Sequence, residues 1–275
     1  MRFYNLIFKT LALSCCLLVG HIAQAQKSDI GFLAGPSFYF GDLGKHWNHY
    51  EGDQALGFFY RKNFNSHWSW RTALQWGQYS GADSTANTEF KQNRNLSFRS
   101  KVLDVSTIVE FNFFNYSHLP KDKKATPYIF AGIGVAQINP KAFYNRDWVA
   151  LQPLNTEGQG SAAYPSRKPY KLVQITMPLG IGYKVMLGKY ASFGLEASFR
   201  KTFTDYLDDV STTYVDDALL ENQTAQDLAD RSINGESRPG FQRGNPYKND
   251  WYAFMNATLV IQFRRHSQSC ADFGR

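Results

Sequence analysis

The sequence predicts an all-β protein, an eight-stranded antiparallel transmembrane β-barrel with long extracellular loops and short periplasmic turns. Two observations carry this prediction. Eight segments alternate between apolar and less apolar residues, and the connections between them alternate between long and short. Successive side chains of a strand lie on opposite faces, and a membrane-spanning barrel needs strands of roughly 9–11 residues that are apolar toward lipid and polar toward the lumen.

The alternation is clearest in the last segment. Its odd positions are all apolar: Trp251, Ala253, Met255, Ala257, Leu259, Ile261 and Phe263. The even positions between them are mixed, with Asn256, Thr258 and Gln262 among them. The same reading along the chain predicts strands at 29–40, 54–63, 67–79, 97–112, 126–138, 170–187, 190–203 and 250–264.

Connection lengths predict the orientation of the barrel. Three connections are short: 63–67, 113–125 and 187–190. The four others are long, and the longest is 204–249. Outer-membrane barrels have short periplasmic turns and long extracellular loops, so both ends of the chain should face the periplasm. A soluble β-sandwich has no reason to keep every second connection long.

The first 25 residues have the pattern of a cleaved secretory signal peptide. Arg2 and Lys9 accompany the apolar run 11–20, and Ala23 and Ala25 form a small-x-small cleavage site. The predicted division is therefore a signal peptide at 1–25, an outer-membrane barrel at 26–264 and a periplasmic tail at 265–275. Cys270 is the one cysteine after the signal peptide, which excludes an internal disulfide.

Charge and composition exclude nucleic acid as a partner. The formal net charge is +7, but the basic residues form no clustered stripe. A weakly basic exported chain is compatible with contact to lipid head groups of the outer membrane. The aromatic content of 16% is high enough to suggest girdles at the two membrane interfaces.

Charged residues in the polar phase of the strands are predicted to point into the lumen. They are Arg71, Asp104, Glu110, Lys184, Glu196 and Arg200. An eight-stranded barrel is only wide enough for side chains to fill it, and buried charges must be paired. Three bases and three acids can pair, so we expect an internal ion-pair network in a plugged barrel. A catalytic or conducting role for these residues is the alternative.

The long loop carries candidate metal ligands in Asp205, Asp208 and Asp209. Hard cations favour several carboxylates, yet the spacing does not match a calcium-binding loop, so an exposed acidic loop is the preferred interpretation. His46 and His49, near Asp42 and Asp53, are weak candidates for a general base or metal site. The sequence contains no catalytic signature motif, and we expect no enzymatic activity, catalytic residue or cofactor.

The structure of two loop segments is also predicted. One is a helix at 217–231 capped by Asp216, and the other is an irregular loop at 139–169.

Three motifs resemble the PorG-like family of outer-membrane proteins. They are Ile30-Gly-Phe-Leu-Ala-Gly-Pro-Ser-Phe-Tyr-Phe-Gly-Asp-Leu43, Lys201-Thr-Phe-Thr-Asp-Tyr-Leu-Asp-Asp-Val-Ser211 and Arg243-Gly-Asn-Pro-Tyr-Lys-Asn-Asp-Trp-Tyr252. The resemblance implies a Bacteroidota outer-membrane barrel associated with the type IX secretion machinery. The partners it implies are a periplasmic ring lipoprotein and that lipoprotein's own partner. It brings no catalytic residues.

The predicted function is thus that of a non-enzymatic accessory or anchoring component of type IX protein secretion. The alternatives are a barrel with a structural or adhesion role outside secretion, a lipid-modifying barrel enzyme, and a small diffusion pore. The expected partner-binding residues are Lys121, Lys123 and Lys124, which lie in the longest of the three periplasmic connections. The basic tail 264–266 would extend the same positive surface.

Overall fold

The computed structural model describes residues 27–44, 53–116, 122–234 and 239–263. The strands are β1 (Lys27–Phe40), β2 (Gln54–Asn63), β3 (Trp68–Ala82), β4 (Ser97–Asn112), β5 (Ala125–Tyr144), β6 (Asp147–Ala150), β7 (Val173–Met186), β8 (Ala191–Thr202) and β9 (Trp251–Phe263). The helices are α1 (Glu89–Arg94) and α2 (Gln223–Ala229), with short 3₁₀ turns at Asp83–Thr85, Gln152–Leu154 and Asp217–Leu219. The predicted signal peptide and tail, Lys121, His46 and His49 lie outside the described residues.

The sheet closes into an antiparallel barrel of eight strands. Every barrel strand pairs with its neighbour along the chain, and β1 pairs with β9, for example at Phe32 and Leu259. Pairing of β4 with β5 completes the ring, while β6 extends the sheet by pairing with β5 alone. The predicted fold class is confirmed. No helix in the described part of the chain is long and apolar enough to cross a membrane.

The outer and inner faces of the barrel differ in chemistry. Large apolar side chains are exposed on the outer face, among them Phe32, Leu56, Trp76, Val105, Ile133, Ile181, Leu195 and Leu259. The inner face of the same strands buries polar and charged side chains together with aromatic rings. Soluble monomers rarely expose a continuous apolar surface of this size, whereas a lipid environment requires one.

The connections divide the two ends of the barrel into what we term a loop end and a turn end. The turn end holds the connections 64–67, 113–124 and 187–190. At the loop end, the described parts of the long connections fold into a cap, which comprises 41–44, 83–96, 147–172, 203–234 and 239–250. Leu207 and Val210 of the cap pack in one apolar cluster with Tyr79, Tyr252 and Phe254 of the strands. The loops therefore share a core with the barrel.

The prediction of an irregular loop at 139–169 is wrong for 139–154, whereas 155–169 form no strand or helix, as expected. Strand β5 continues to Tyr144 and turns back into β6, with Tyr144 paired to Asp147. Asn145 and Arg146 both have positive φ angles, of 48° and 68°, which is the backbone of a two-residue hairpin turn. Asn-Arg lacks the glycine that usually marks such turns, so local residue preferences do not predict a hairpin at this position.

The helix predicted at 217–231 is also wrong in extent. The segment forms the 3₁₀ turn Asp217–Leu219, which Asp216 caps by accepting a hydrogen bond from the Ala218 amide at 3.0 Å. The helix α2 begins separately, with Asn222 as its cap, accepting from the Ala225 amide at 2.9 Å. Two local capping side chains thus divide the segment into two short elements.

Candidate functional site

Glu110 lies at the centre of the lumen network. The Nε atoms of Arg61 and Arg71 and the Nζ atom of Lys184 each lie 3.1 Å from its carboxylate. Glu110 is fully buried, and its three cationic neighbours are at most 3% exposed. A buried carboxylate without such partners would be strongly destabilising, so these cations are what permits the charge at this depth.

The network extends from Glu110 in two directions. Arg71 binds Glu196 at 2.8 Å, and the Tyr128 hydroxyl donates to the same carboxylate at 2.9 Å. On the other side Arg61 lies 3.7 Å from Asp29 of β1. Nearer the loop end, Arg200 pairs with Asp104 at 3.3 Å, and the Tyr252 hydroxyl donates to Asp104 at 2.7 Å. The structure thus brings all six predicted lumen residues into buried ion pairs.

Sequence reasoning missed Arg61 and Asp29. Both faces of β2 are apolar, with Ala55 and Phe59 inward and Leu56 and Phe58 outward, so alternation did not reveal which way Arg61 points. Strand register could have revealed its direction. Arg61 stands directly opposite Arg71 in the β2–β3 ladder, and directly opposite side chains lie on the same face of a sheet.

The acidic residues of the long loop are buried, which contradicts the expected exposed acidic loop. Asp205, Asp208 and Asp209 lie within the cap, and Asp208 and Asp209 are at most 1% exposed. In the described part of the chain, no group of three or more His, Cys, Asp or Glu side chains is arranged to hold a metal ion. Asp209 belongs to one cluster of the cap, and Asp205 and Asp208 belong to another.

Asp209 and Glu157 form a second buried charge cluster with Arg243. Arg243 places Nη1 2.9 Å from Glu157 and donates to the Asp209 carbonyl at 2.6 Å. Tyr170 donates its hydroxyl to the Asp209 carboxylate at 2.7 Å. Burial raises the pKa of Asp209 to about 6, although Arg243 and these donors act in the opposite direction.

Glu157 joins the two longest connections. Its carboxylate accepts hydrogen bonds from the Ser211 amide at 2.9 Å and from the Thr212 amide at 3.0 Å, and also from the Tyr206 hydroxyl at 3.1 Å. The connection that follows β6 is thereby attached to the one that precedes β9. The Glu157 carboxylate therefore holds these two connections together through its hydrogen bonds.

Asp205 and Asp208 occupy a different part of the cap, with Asp42 and Asp250. Tyr39 donates its hydroxyl to Asp208, and the Leu207 amide donates to Asp250 at 3.0 Å. Asp205 is only 7% exposed, and Ser211 is the polar neighbour of its carboxylate. Burial raises the pKa of Asp205 to about 8 and that of Asp208 to about 7, and the neighbouring carboxylates add to both shifts.

The three motifs that carry the family resemblance meet in this cap. The Asn245 amide donates to the Asp42 carboxylate, which joins the third motif to the first. Arg243 joins the third motif to the second through Asp209. Gly244 fits between them because a Cβ atom there would lie 2.6 Å from both Asp42 Oδ2 and the Ser211 nitrogen. The motifs therefore encode the packing of the cap on the barrel.

At the turn end, Lys123 and Lys124 have exposed side chains in the connection between β4 and β5. The Lys123 amide donates to the Asn115 carbonyl at 2.8 Å, which orders this connection locally. Lys121, the third expected partner-binding residue, lies outside the described residues. The role of these lysines in partner binding stays a prediction.

Sequence comparison places the chain in a family. The model of a domain of unknown function, DUF6089, matches residues 8–272. The chain belongs to this family. No curated protein sequence matches it. Membership of this family assigns no activity, so the functional assignment depends on the geometry of the barrel and cap.

Solved structures similar to this DUF6089 protein include three bacterial outer-membrane barrels. Ail of Yersinia pestis is 10% identical, and the match covers 87% of this chain and 100% of Ail with a TM-score of 0.40. Neisserial surface protein A is 8% identical, with 87% of this chain and 100% of that chain covered and a TM-score of 0.39. OprG of Pseudomonas aeruginosa is 9% identical, with 87% of this chain and 95% of that chain covered and a TM-score of 0.37. At these identities and scores the likeness adds nothing to the barrel architecture described above.

Proposed function

We propose that the protein is a non-enzymatic β-barrel of the outer membrane that acts as an accessory or anchoring component of type IX protein secretion. The observation that carries the membrane assignment is the band of exposed apolar side chains around a closed barrel. Only closed barrels and helices satisfy their backbone hydrogen bonds in lipid, and a closed barrel has no free edge strand. The expected signal peptide supports export to the outer membrane.

The lumen network supports an anchoring role over a diffusion pore. Glu110, Arg71 and Glu196 cross the interior as mutually paired side chains that are at most 5% exposed. A water-filled pathway would hydrate these groups. Near the loop end the lumen is filled by Tyr79, Tyr252 and Phe254, on which the cap packs. A barrel of this kind holds a fixed surface on each side of the membrane.

The secretion role is supported by the resemblance to PorG-like proteins, whose three motifs here build one contiguous part of the cap. The partner would be the periplasmic ring lipoprotein and the protein that binds it. The surface available for this contact is the turn end, with the exposed Lys123 and Lys124. Charge steering would make the contact sensitive to salt.

The test is affinity purification from membranes of cells that carry the triple variant Lys121→Ser, Lys123→Ser, Lys124→Ser. We expect normal insertion but weakened retention of the periplasmic ring and slower secretion. The matched control replaces three exposed lysines of the loop end, Lys168, Lys171 and Lys248, by serine. Undiminished ring retention in the first variant would show that the lysines of the turn end do not bind the ring. Absence of the ring from wild-type preparations would contradict the secretion role.

An adhesion or structural role outside secretion is the second candidate, and the ordered cap favours it. Large side chains are exposed on the cap surface, with Tyr247 at 94%, Ile233 at 67% and Phe241 at 59%. Exposed aromatic and aliphatic side chains on a rigid scaffold are typical of contact surfaces. Deleting the gene would separate the candidates, since loss of adhesion with intact secretion supports only the second.

A further inference from the structure

Three cationic side chains form a row on the outer face of the barrel near the loop end. Arg99 of β4 is directly opposite Lys141 of β5, and Lys101 follows two positions along β4, opposite Asn139. All three belong to the outward phase of their strands. We refer to Arg99, Lys101 and Lys141 as the cationic row.

The row lacks an anionic partner within the described part of the chain. None of its members takes part in an ion pair there, and the contact of Arg99 is with the Trp148 ring, 3.7 Å from its guanidinium carbon to the ring centroid. Like charges directly opposite each other across a ladder destabilise a sheet. On the other side of β4 the row faces Gln78 and Ser80, and the Ser80 hydroxyl donates to the Asp53 carboxylate at 2.7 Å.

The row lies at the edge of the apolar band. Leu103 is the next outward residue after Lys101, at 40% exposure, and Val105 follows at 47%. Two residues along a strand span about 6.6 Å, so the cations lie within reach of head groups above the hydrocarbon. Phe143 and Trp148, with ring centroids 5.5 Å apart, lie beside the row as aromatic side chains do at membrane interfaces.

We propose that the cationic row binds the anionic phosphate head group of a lipid in the outer leaflet. A guanidinium and two ammonium groups complement the charge and the multiple acceptor oxygens of a phosphate monoester. Continuity with the apolar band favours a lipid over a free ion, because acyl chains would pack on Leu103 and Val105 while the phosphate contacts the cations. The proposal rests on the membrane-spanning role proposed above.

The test uses the full chain, purified and reconstituted in phosphatidylcholine bilayers with or without monophosphoryl lipid A. Native mass spectrometry counts the lipid A molecules that the protein retains, and titration gives their affinity. The variant replaces Arg99, Lys101 and Lys141 by glutamine. A hydrogen bond between a cation and the phosphate contributes about tenfold or more in affinity, so we expect the triple variant to lose about a thousandfold. The single variant Lys101→Gln should lose about tenfold, and it tests the proposal if the triple variant folds poorly.

The matched control is Lys201→Gln. Lys201 is an outward cation of β8 at the same end of the barrel, where it stands alone beside Phe203 and Trp251. It should retain lipid A as the wild type does. Equal retention by the triple variant and the wild type would overturn the proposal, as would equal loss in Lys201→Gln or equal binding of inorganic phosphate. Failure of the wild type to insert into bilayers would instead contradict the proposed membrane role.

Discussion

Arg61 and Arg71 stand directly opposite each other across the β2–β3 ladder, and both place Nε 3.1 Å from the carboxylate of Glu110. Two like charges in this position would repel each other in an isolated hairpin. Glu110 of β4 therefore supplies the negative charge that allows β2 and β3 to pair at this position. Lys184 reaches the same carboxylate from β7, so three cations contact Glu110. Asp29 and Glu196 supply the remaining negative charge.

The first prediction concerns Glu110→Gln. The substitution keeps the shape of the side chain but leaves Arg61, Arg71 and Lys184 with too little negative charge, and removing one partner of a buried ion pair costs about 3–5 kcal/mol. We expect the urea midpoint of the refolded barrel to fall clearly, while the exposed Glu221→Gln leaves it unchanged. Similar small effects for both variants would show that the lumen charges are hydrated.

The second prediction concerns the joining of the cap loops by Glu157. Glu157→Gln removes the charge that binds Arg243 and weakens acceptance from the Ser211 and Thr212 amides. Hydrogen bonds to charged groups contribute about 1.5–3 kcal/mol, so the cap should open before the barrel unfolds. Limited proteolysis in detergent should cleave the long loop faster, with Glu221→Gln as control. Unchanged cleavage would mean that the apolar cluster alone holds the cap.

The third prediction concerns pH. The pKa of Asp205 rises from 3.8 to about 8 because of burial beside Asp42, Asp208 and Glu157. The folded cap therefore retains a proton that the unfolded chain releases, so cap stability is fully present below pH 3.8 and declines as the pH rises to about 8. Hydrogen exchange of 203–212 should accelerate across this window. Asp205→Asn should remove part of the acceleration, because Asp208 and Asp209 in the same segment also have raised pKa values, and an unchanged profile in that variant would contradict the assignment.

The fourth prediction concerns orientation. Tyr247, which is 94% exposed, is a suitable position for chemical labelling at the loop end. In a Cys270→Ser background, Tyr247→Cys should react with a membrane-impermeant maleimide on intact cells, and Lys123→Cys should react only after lysis. The reverse pattern would invert the barrel.

Sequence alone predicted the barrel strands well, because alternation and turn residues are local properties. The β4 segment, 97–112, agrees at both ends with the structure. Packing between distant segments could not be predicted. Asp209 becomes buried because Arg243 and Glu157 approach it from two other parts of the chain. Arg61 was missed for a related reason, since its partner Glu110 lies two strands away.

The lumen network also constrains how the barrel can enter a membrane. Its charges come from six strands, through Asp29, Arg61, Arg71, Glu110, Lys184 and Glu196. A partly assembled sheet would expose unpaired charges and a free edge to hydrocarbon, and each such group costs several kcal/mol there. Strands therefore cannot be added to lipid one at a time without large penalties. Insertion and ring closure are therefore expected to proceed as one concerted event, in which the lumen charges are neutralised as the strands close into a ring.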